Sequence, residues 1–346
     1  MKRKNLPATF VRIVLLGSLA AMTVPEVAVA AQTADQPARA GAVAMAQTPL
    51  PADLRSALQA KVTPWRTQHP KAFVAVAAVK GCTAEGYQAY RRPDPECSRS
   101  LRALGPAVTL PLLSALVLEA PKRADGSLPY NSEREQLAYA AGALQAVGTF
   151  RQAEAGPVLR FLAVNGTPAL AKDAAEALGR TATAEAAADA ARSLSVLTTL
   201  ASTEGPRQLA AISGLGQARG LAAATALAAG LDTATATTAA GWAWALGQNA
   251  SSWAWDARRH GGAANANEAM AVRELAAKAL VRAFVRYTSS EVRESAMKGL
   301  MLAAHPVSLS LVVEARAGAT ADQQVALDGL AKRLQRYFAR NASAKR

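Results

Sequence analysis

Residues 172–194 read KDAAEALGRTATAEAAADAARSL, and this stretch decides the fold. Apolar and small positions recur at helical spacing through Leu170, Ala174, Ala177 and Leu178, the three-to-four-residue period of an amphipathic helix. Gly179 follows a leucine near the end of that run. A second alanine-rich run follows, with Ala190 eleven positions after the glycine. The reading is a helix, a turn at the glycine, and a second helix. Glycine suits such a turn because helices often end on a left-handed residue, which a side chain disfavours.

The same phrase recurs along the chain. It appears as RALG (102–105), QAVG (145–148), EALG (176–179), SGLG (213–216) and WALG (244–247). From Gly148 the intervals to Gly179, Gly216 and Gly247 are 31, 37 and 31 residues. Leu116, Leu159 and Leu227 sit eleven places after three of the glycines, as Ala190 does after Gly179. A repeat of this length means that each unit buries its apolar face against its neighbours. Helix starts are marked by S/T-x-x-E/Q boxes at Ser132–Glu135, Thr149–Gln152 and Thr320–Gln323. Proline stands at an expected first helical position in Thr167-Pro168 and Gly205-Pro206. One segment, FVAVAAV (73–79), also has strand character; a short buried helix is the preferred reading.

Composition agrees. Of 346 residues, 86 are alanine, the best helix former, and aromatics make up only 5%. The chain is 51% hydrophobic, too apolar for wholesale disorder. The expected fold class is all-α, an α-solenoid of stacked antiparallel helix pairs.

LGPAVTLPLLSALVLEA (104–120) and KDAAEALGRTATAEAAADAARSL (172–194) resemble HEAT repeats, in particular the short type of phycobilisome-lyase-like HEAT proteins. The resemblance covers roughly residues 100–346. It implies helix pairs stacked into an α-solenoid and, for function, a non-catalytic binding scaffold. Together with the N-terminal signal, the type is an exported bacterial one. The sequence departs from it in an irregular period, in the interruption HGGAANANE (260–268), and in few Asp and Arg residues at the inter-repeat turns.

The N-terminus supplies an address. Lys2, Arg3, Lys4 and Arg12 are basic, Val11–Met22 is largely apolar, and Ala28-Val29-Ala30 is an A-x-A cleavage site. This three-part form predicts a signal peptide over residues 1–30 and a periplasmic or secreted protein. Residues 31–50 read as a flexible linker, 51–100 as an N-terminal helical cap, and 101–346 as the repeats. No later apolar run is long enough to predict a transmembrane segment. In an oxidising compartment Cys82 and Cys97, fifteen apart, are expected to form a disulfide clamping the intervening loop.

Candidate chemistry is sparse. His69, His260 and His305 lack metal-ligand spacing, and no nucleophile elbow or phosphate loop is present. No catalytic residue, cofactor or metal is expected. A protein partner is. Four of five tryptophans fall in GWAWALGQNASSWAWDARRH, as Trp242, Trp244, Trp253 and Trp255, with Arg258 and Arg259 beside them. Residues two apart on a helix are rotated by about 200°, so one of each pair must leave the core of its own repeat. It either packs on the next repeat or forms an interaction patch, tryptophan and arginine being frequent binding anchors.

Charge is uneven. The formal net charge is +14. Residues 31–123 carry +6, 124–257 carry −3 and 258–346 carry +8. The basic C-terminal segment, with Lys332, Arg333, Arg336 and Arg340, and the Trp/Arg region offer a second reading, the binding of an anionic polymer or a small ligand. Nothing in the sequence marks a nucleic-acid-binding fold.

Overall fold

The computed structural model describes residues 49–83, 96–251, 254–255 and 266–343. The signal-peptide reading and nearly all of the linker reading fall outside them. Fifteen α-helices and no β-strand are found among the described residues. They are α1 (Ala52–Gln68), α2 (Pro70–Ala77), α3 (Glu96–Ala103), α4 (Thr109–Val117), α5 (Glu133–Phe150), α6 (Gly156–Asn165), α7 (Ala171–Ala182) and α8 (Ala187–Ser202). There follow α9 (Gln208–Gln217), α10 (Leu221–Thr233), α11 (Ala239–Asn249), α12 (Ala266–Arg286), α13 (Ser290–Ala303), α14 (Ser308–Ala317) and α15 (Ala321–Ser343).

The helices stack in two rows. One row runs α3, α5, α7, α9, α11, α13, each helix packed on the next, and α15 follows α13. The other runs α6, α8, α10, α12, α14. Consecutive helices alternate between rows, so each antiparallel pair shares a continuous core with its neighbours. This is the expected all-α solenoid. The segment 73–79 is helical through Ala77, within α2. Tyr139, fully buried in α5, ties α2 to the repeats by donating its hydroxyl to Val76 O at 3.1 Å.

Four of the five repeat glycines do something other than turn the chain. Gly148, Gly179, Gly216 and Gly247 lie inside α5, α7, α9 and α11, short of their ends. None has positive φ; Gly105 alone of the five does, at 78°. A Cβ built on Gly148 would stand 2.7 Å from Ala177 Cα, and one on Gly216 would stand 3.0 Å from Ala245 Cα. On Gly179 it would overlap the Gly214 carbonyl, and on Gly247 the Gly299 Cα. Each glycine is therefore the crossing point where one helix of the first row meets the next. The turn expectation holds at Gly105, just after α3, and fails at the other four. A Gly after an apolar residue is also what close helix contact requires, and local sequence does not separate the two uses. The turn after α5 is taken by Arg151 instead, in the left-handed region at φ 54°.

The predicted helix starts divide. Ser132 Oγ accepts from Glu135 N at 3.3 Å, and Glu135 reaches back to Asn131 N at 2.7 Å. Thr320 and Gln323 form a reciprocal box. Thr149 caps nothing. It lies within α5, and its hydroxyl donates to Gln145 O at 2.8 Å. The α5 helix continues through the position where the box would have started a new one.

Several polar groups inside the stack are paired across helices. Between α5 and α7, Gln145 Nε2 donates to Asp173 Oδ1 at 2.9 Å, both side chains being buried. In the second row Arg160 Nη1 on α6 meets Glu185 Oε1 at 2.7 Å, and Ser193 Oγ donates to Glu185 Oε2 at 2.6 Å. Cys82 and Cys97 are joined, with Cα atoms 4.7 Å apart. No single helix among the described residues is long and apolar enough to cross a membrane.

Candidate interaction face

Three helices of the first row, α7, α9 and α11, each turn one stripe away from the core. On α7 the stripe is Lys172, Glu176 and Arg180; on α9 it is Leu209, Ser213 and Gln217; on α11 it is Gly241, Trp244 and Gln248. The three- and four-residue steps follow from helical periodicity, since positions i, i+3 and i+4 share a face. A ladder of hydrogen bonds fixes α7 to α9 across this surface. Ser213 Oγ donates to Glu176 Oε1 at 2.7 Å, and Arg180 Nε donates to Gln217 Oε1 at 3.1 Å.

At the N-terminal ends of these helices the face opens into a groove of about 340 Å³. Pro168, Lys172, Pro206, Leu209, Gly241 and Trp244 line it. Leu209 is 57% and Trp244 44% exposed, both large apolar side chains on rigid helices.

The tryptophans predicted as a patch separate. Trp242 is buried, with its ring lying over Gly230 of α10. Trp244, two residues on, points the other way. Trp255 is half-buried against the core, and its ring N–H donates to Asn249 O at 2.8 Å. Trp253, Arg258 and Arg259 lie outside the described residues. Of the six predicted patch residues, the face receives Trp244. Leu209, its neighbour across the groove, belonged to no aromatic cluster; an exposed leucine at a stripe position of an alanine-rich helix is the signal that could have found it.

At the C-terminal ends of α5, α7 and α9 the surface is cationic. Arg151, just after α5, lies within electrostatic reach of Arg180 on α7 and of Arg219 just after α9. Burial first, and then the Arg151 charge, bring the Arg219 guanidinium down to about 10. Arg151 is lowered by burial and then by Arg180. Arg180 is paired, its Nη2 standing 3.3 Å from Glu176 Oε2. Arg219 Nη2 is buried and has no acceptor. Among the described residues no carboxylate pairs with Arg151 or Arg219.

The histidines remain apart. His69 stacks on Trp65 with ring centroids 4.0 Å apart. His305 is buried, accepts from Val307 N at 3.2 Å on Nδ1, and is lowered by burial and then by Arg273. His260 is outside the described residues. Among the described residues no group of three or more His, Cys, Asp or Glu side chains comes together as a metal site requires.

No protein-family model and no curated protein matches the chain. Among solved structures it is similar to human deoxyhypusine hydroxylase in complex with glycerol, at 16% identity and a TM-score of 0.31, over 81% of this chain and 99% of that one. A similarity this low carries no argument about activity.

Proposed function

We propose that this chain is a HEAT-like scaffold of the cell envelope, without chemistry of its own, that holds a protein partner on the α7–α9–α11 face. The observation that carries the reading is Trp244, exposed on a rigid helix beside exposed Leu209, at the edge of a groove. Tryptophan presents a large contact area at little entropic cost, and such anchors dominate binding energies. The three-part N-terminus supports export, and the Cys82–Cys97 disulfide is compatible with it.

A second reading rests on α15, where Lys332, Arg333, Arg336 and Arg340 are exposed on the last helix of the stack. These four cations would hold an anionic polymer.

A pull-down from envelope extracts with wild type and Trp244→Ala, each at low and high salt, separates the two. A protein retained at high salt and lost with Trp244→Ala supports the groove. An anionic glycan released by salt from both forms sinks it and favours α15. N-terminal sequencing of the exported protein tests the address, with Ala31 as the expected first residue.

A further inference from the structure

Most arginines of the stack pair with a carboxylate, as Arg160 and Arg282 do, or cap a helix end, although Arg207 Nη1, like Arg219 Nη2, is buried without an acceptor. Arg273 donates to the carbonyls of Ala303 and Ala304 at the end of α13. Arg293 donates to those of Phe284 and Tyr287 at the end of α12, and Arg207 to Gly166 after α6. Those side chains close helix ends, as cations near a C-terminus do. Arg151 and Arg219 close none. Each brings a partly buried guanidinium toward a like charge, and a buried Nη2 of Arg219 has no acceptor. The helix dipoles favour cations here, yet they leave a buried donor of Arg219 unused. Buried donors without acceptors are uncommon and costly, and a bound anion is what would satisfy them.

We infer that the Arg151–Arg180–Arg219 cluster receives a carboxylate of the same peptide segment whose apolar side chain enters the Trp244–Leu209 groove, an inference that rests on the groove reading. The Glu176–Ser213 and Arg180–Gln217 ladder joins the two ends. Lys172 lines the groove and Arg180 borders the cluster. Eight helical residues separate them, about 12 Å. An extended chain covers that in roughly four residues. The occupant is thus an extended peptide with a large apolar residue and an acidic residue about four positions away. Guanidinium groups recognise carboxylates through paired, charge-assisted hydrogen bonds, which gives the cluster its selectivity.

The test uses the full-length exported protein and four fluorescein-labelled peptides: Gly-Leu-Ala-Ala-Ala-Glu-amide, the reversed Gly-Glu-Ala-Ala-Ala-Leu-amide, and the version of each with Gln for Glu. Citrate serves as a compact carboxylate probe in thermal melts. At least one Glu peptide is expected to bind tenfold or more tightly than its Gln counterpart. Arg219→Gln and Arg151→Gln should each erase that difference, while Trp244→Ala weakens Glu and Gln peptides alike. Citrate should raise the melting temperature of wild type more than that of Arg219→Gln. Without any ligand, Arg219→Gln should melt at or above the wild-type temperature, because it relieves an unpaired buried charge; a purely structural arginine would lower it. Equal binding of Glu and Gln peptides, lost in Trp244→Ala, overturns the cluster and leaves the groove. An Arg219-dependent Glu preference untouched by Trp244→Ala overturns the groove and leaves the cluster. If no peptide binds, the citrate shift decides: equal shifts in wild type and Arg219→Gln, or none, end the inference.

Discussion

Gly148 on α5 crosses Ala177 on α7 so closely that a Cβ built on the glycine would stand 2.7 Å from the alanine Cα. The contact is backbone against backbone, so no side chain can move aside. Gly179, Gly216 and Gly247 repeat it against the following helix. The spacing of these glycines is therefore the spacing of the first row.

Gly148→Ala and Gly247→Ala should each destabilise the protein by about 2 kcal/mol or more, the scale of overpacking in a close-packed core. Gly329→Ala on α15, where an added Cβ meets nothing within 4 Å, should be neutral or stabilising by about 0.5–1 kcal/mol, since glycine is the poorer helix former. Urea midpoints of the three variants check this. Equal midpoints for all three would refute the crossing role.

Trp242→Ala and Trp244→Ala should behave oppositely. Removing the buried Trp242 ring leaves a cavity over Gly230 and should cost about 3–5 kcal/mol. Removing the exposed Trp244 ring should change stability by no more than about 0.5 kcal/mol. Circular-dichroism melts of both variants distinguish them, and a similar loss in both would place Trp244 in the core.

Glu185 has 1% side-chain exposure beside Arg160 at 16%. Glu185→Ala removes the buried carboxylate that both Arg160 and the Ser193 hydroxyl use, leaving Arg160 with Asp189 Oδ1 at 3.3 Å and Ser193 Oγ at 2.9 Å, and about 1–3 kcal/mol of destabilisation is expected. Replacing both partners, as Arg160→Met with Glu185→Leu, should recover part of that loss. A double-mutant cycle measures the coupling, and additive losses would show that the pair does not act as one unit.

Acid should weaken the fold through His305. Its folded pKa is lowered, by burial first and then by the Arg273 charge. The unfolded chain takes up that proton near pH 6.5 and the folded chain only at lower pH. Stability from this residue is therefore intact above that range and is lost as pH falls below it. Denaturation at pH 7.5 and 5.5 should show a larger drop for wild type than for His305→Asn; equal drops would remove His305 as the cause.

Reducing the Cys82–Cys97 disulfide should cost about 3 kcal/mol, the loop-closure entropy of a fifteen-residue separation. The comparison is a melt with and without reductant, using Cys82→Ala/Cys97→Ala as the control that reductant leaves unmoved.

The two halves of the Leu-Gly phrase were unequally legible. Leu178 and Ala174 declared a helix and its buried side through their spacing alone. Gly179 declared only that a side chain is unwelcome, and a turn and a crossing share that requirement. Trp242 and Trp244 were legible as a divided pair, because two helical steps rotate a side chain to the opposite face. Which of them faces out depended on where α10 and α13 pack against α11. The capping boxes show the same limit. Ser132 and Thr320 cap helices, whereas Thr149, with the same pattern, sits in a helix that burial carries past it.

By itself the sequence determined the helices, their alternation and the approximate repeat, because period, propensity and alanine content are local properties of a chain. Only the tertiary structure decided that the repeat glycines are crossing points and that Trp244 rather than Trp242 meets solvent. It also decided that Arg151, from another repeat of a net acidic segment, comes within electrostatic reach of both Arg180 and Arg219. The physical reason is distance. Contacts within a helix are set by residue number, but contacts between repeats depend on how closely and at what angle the helices cross, and small residues at those crossings fix both.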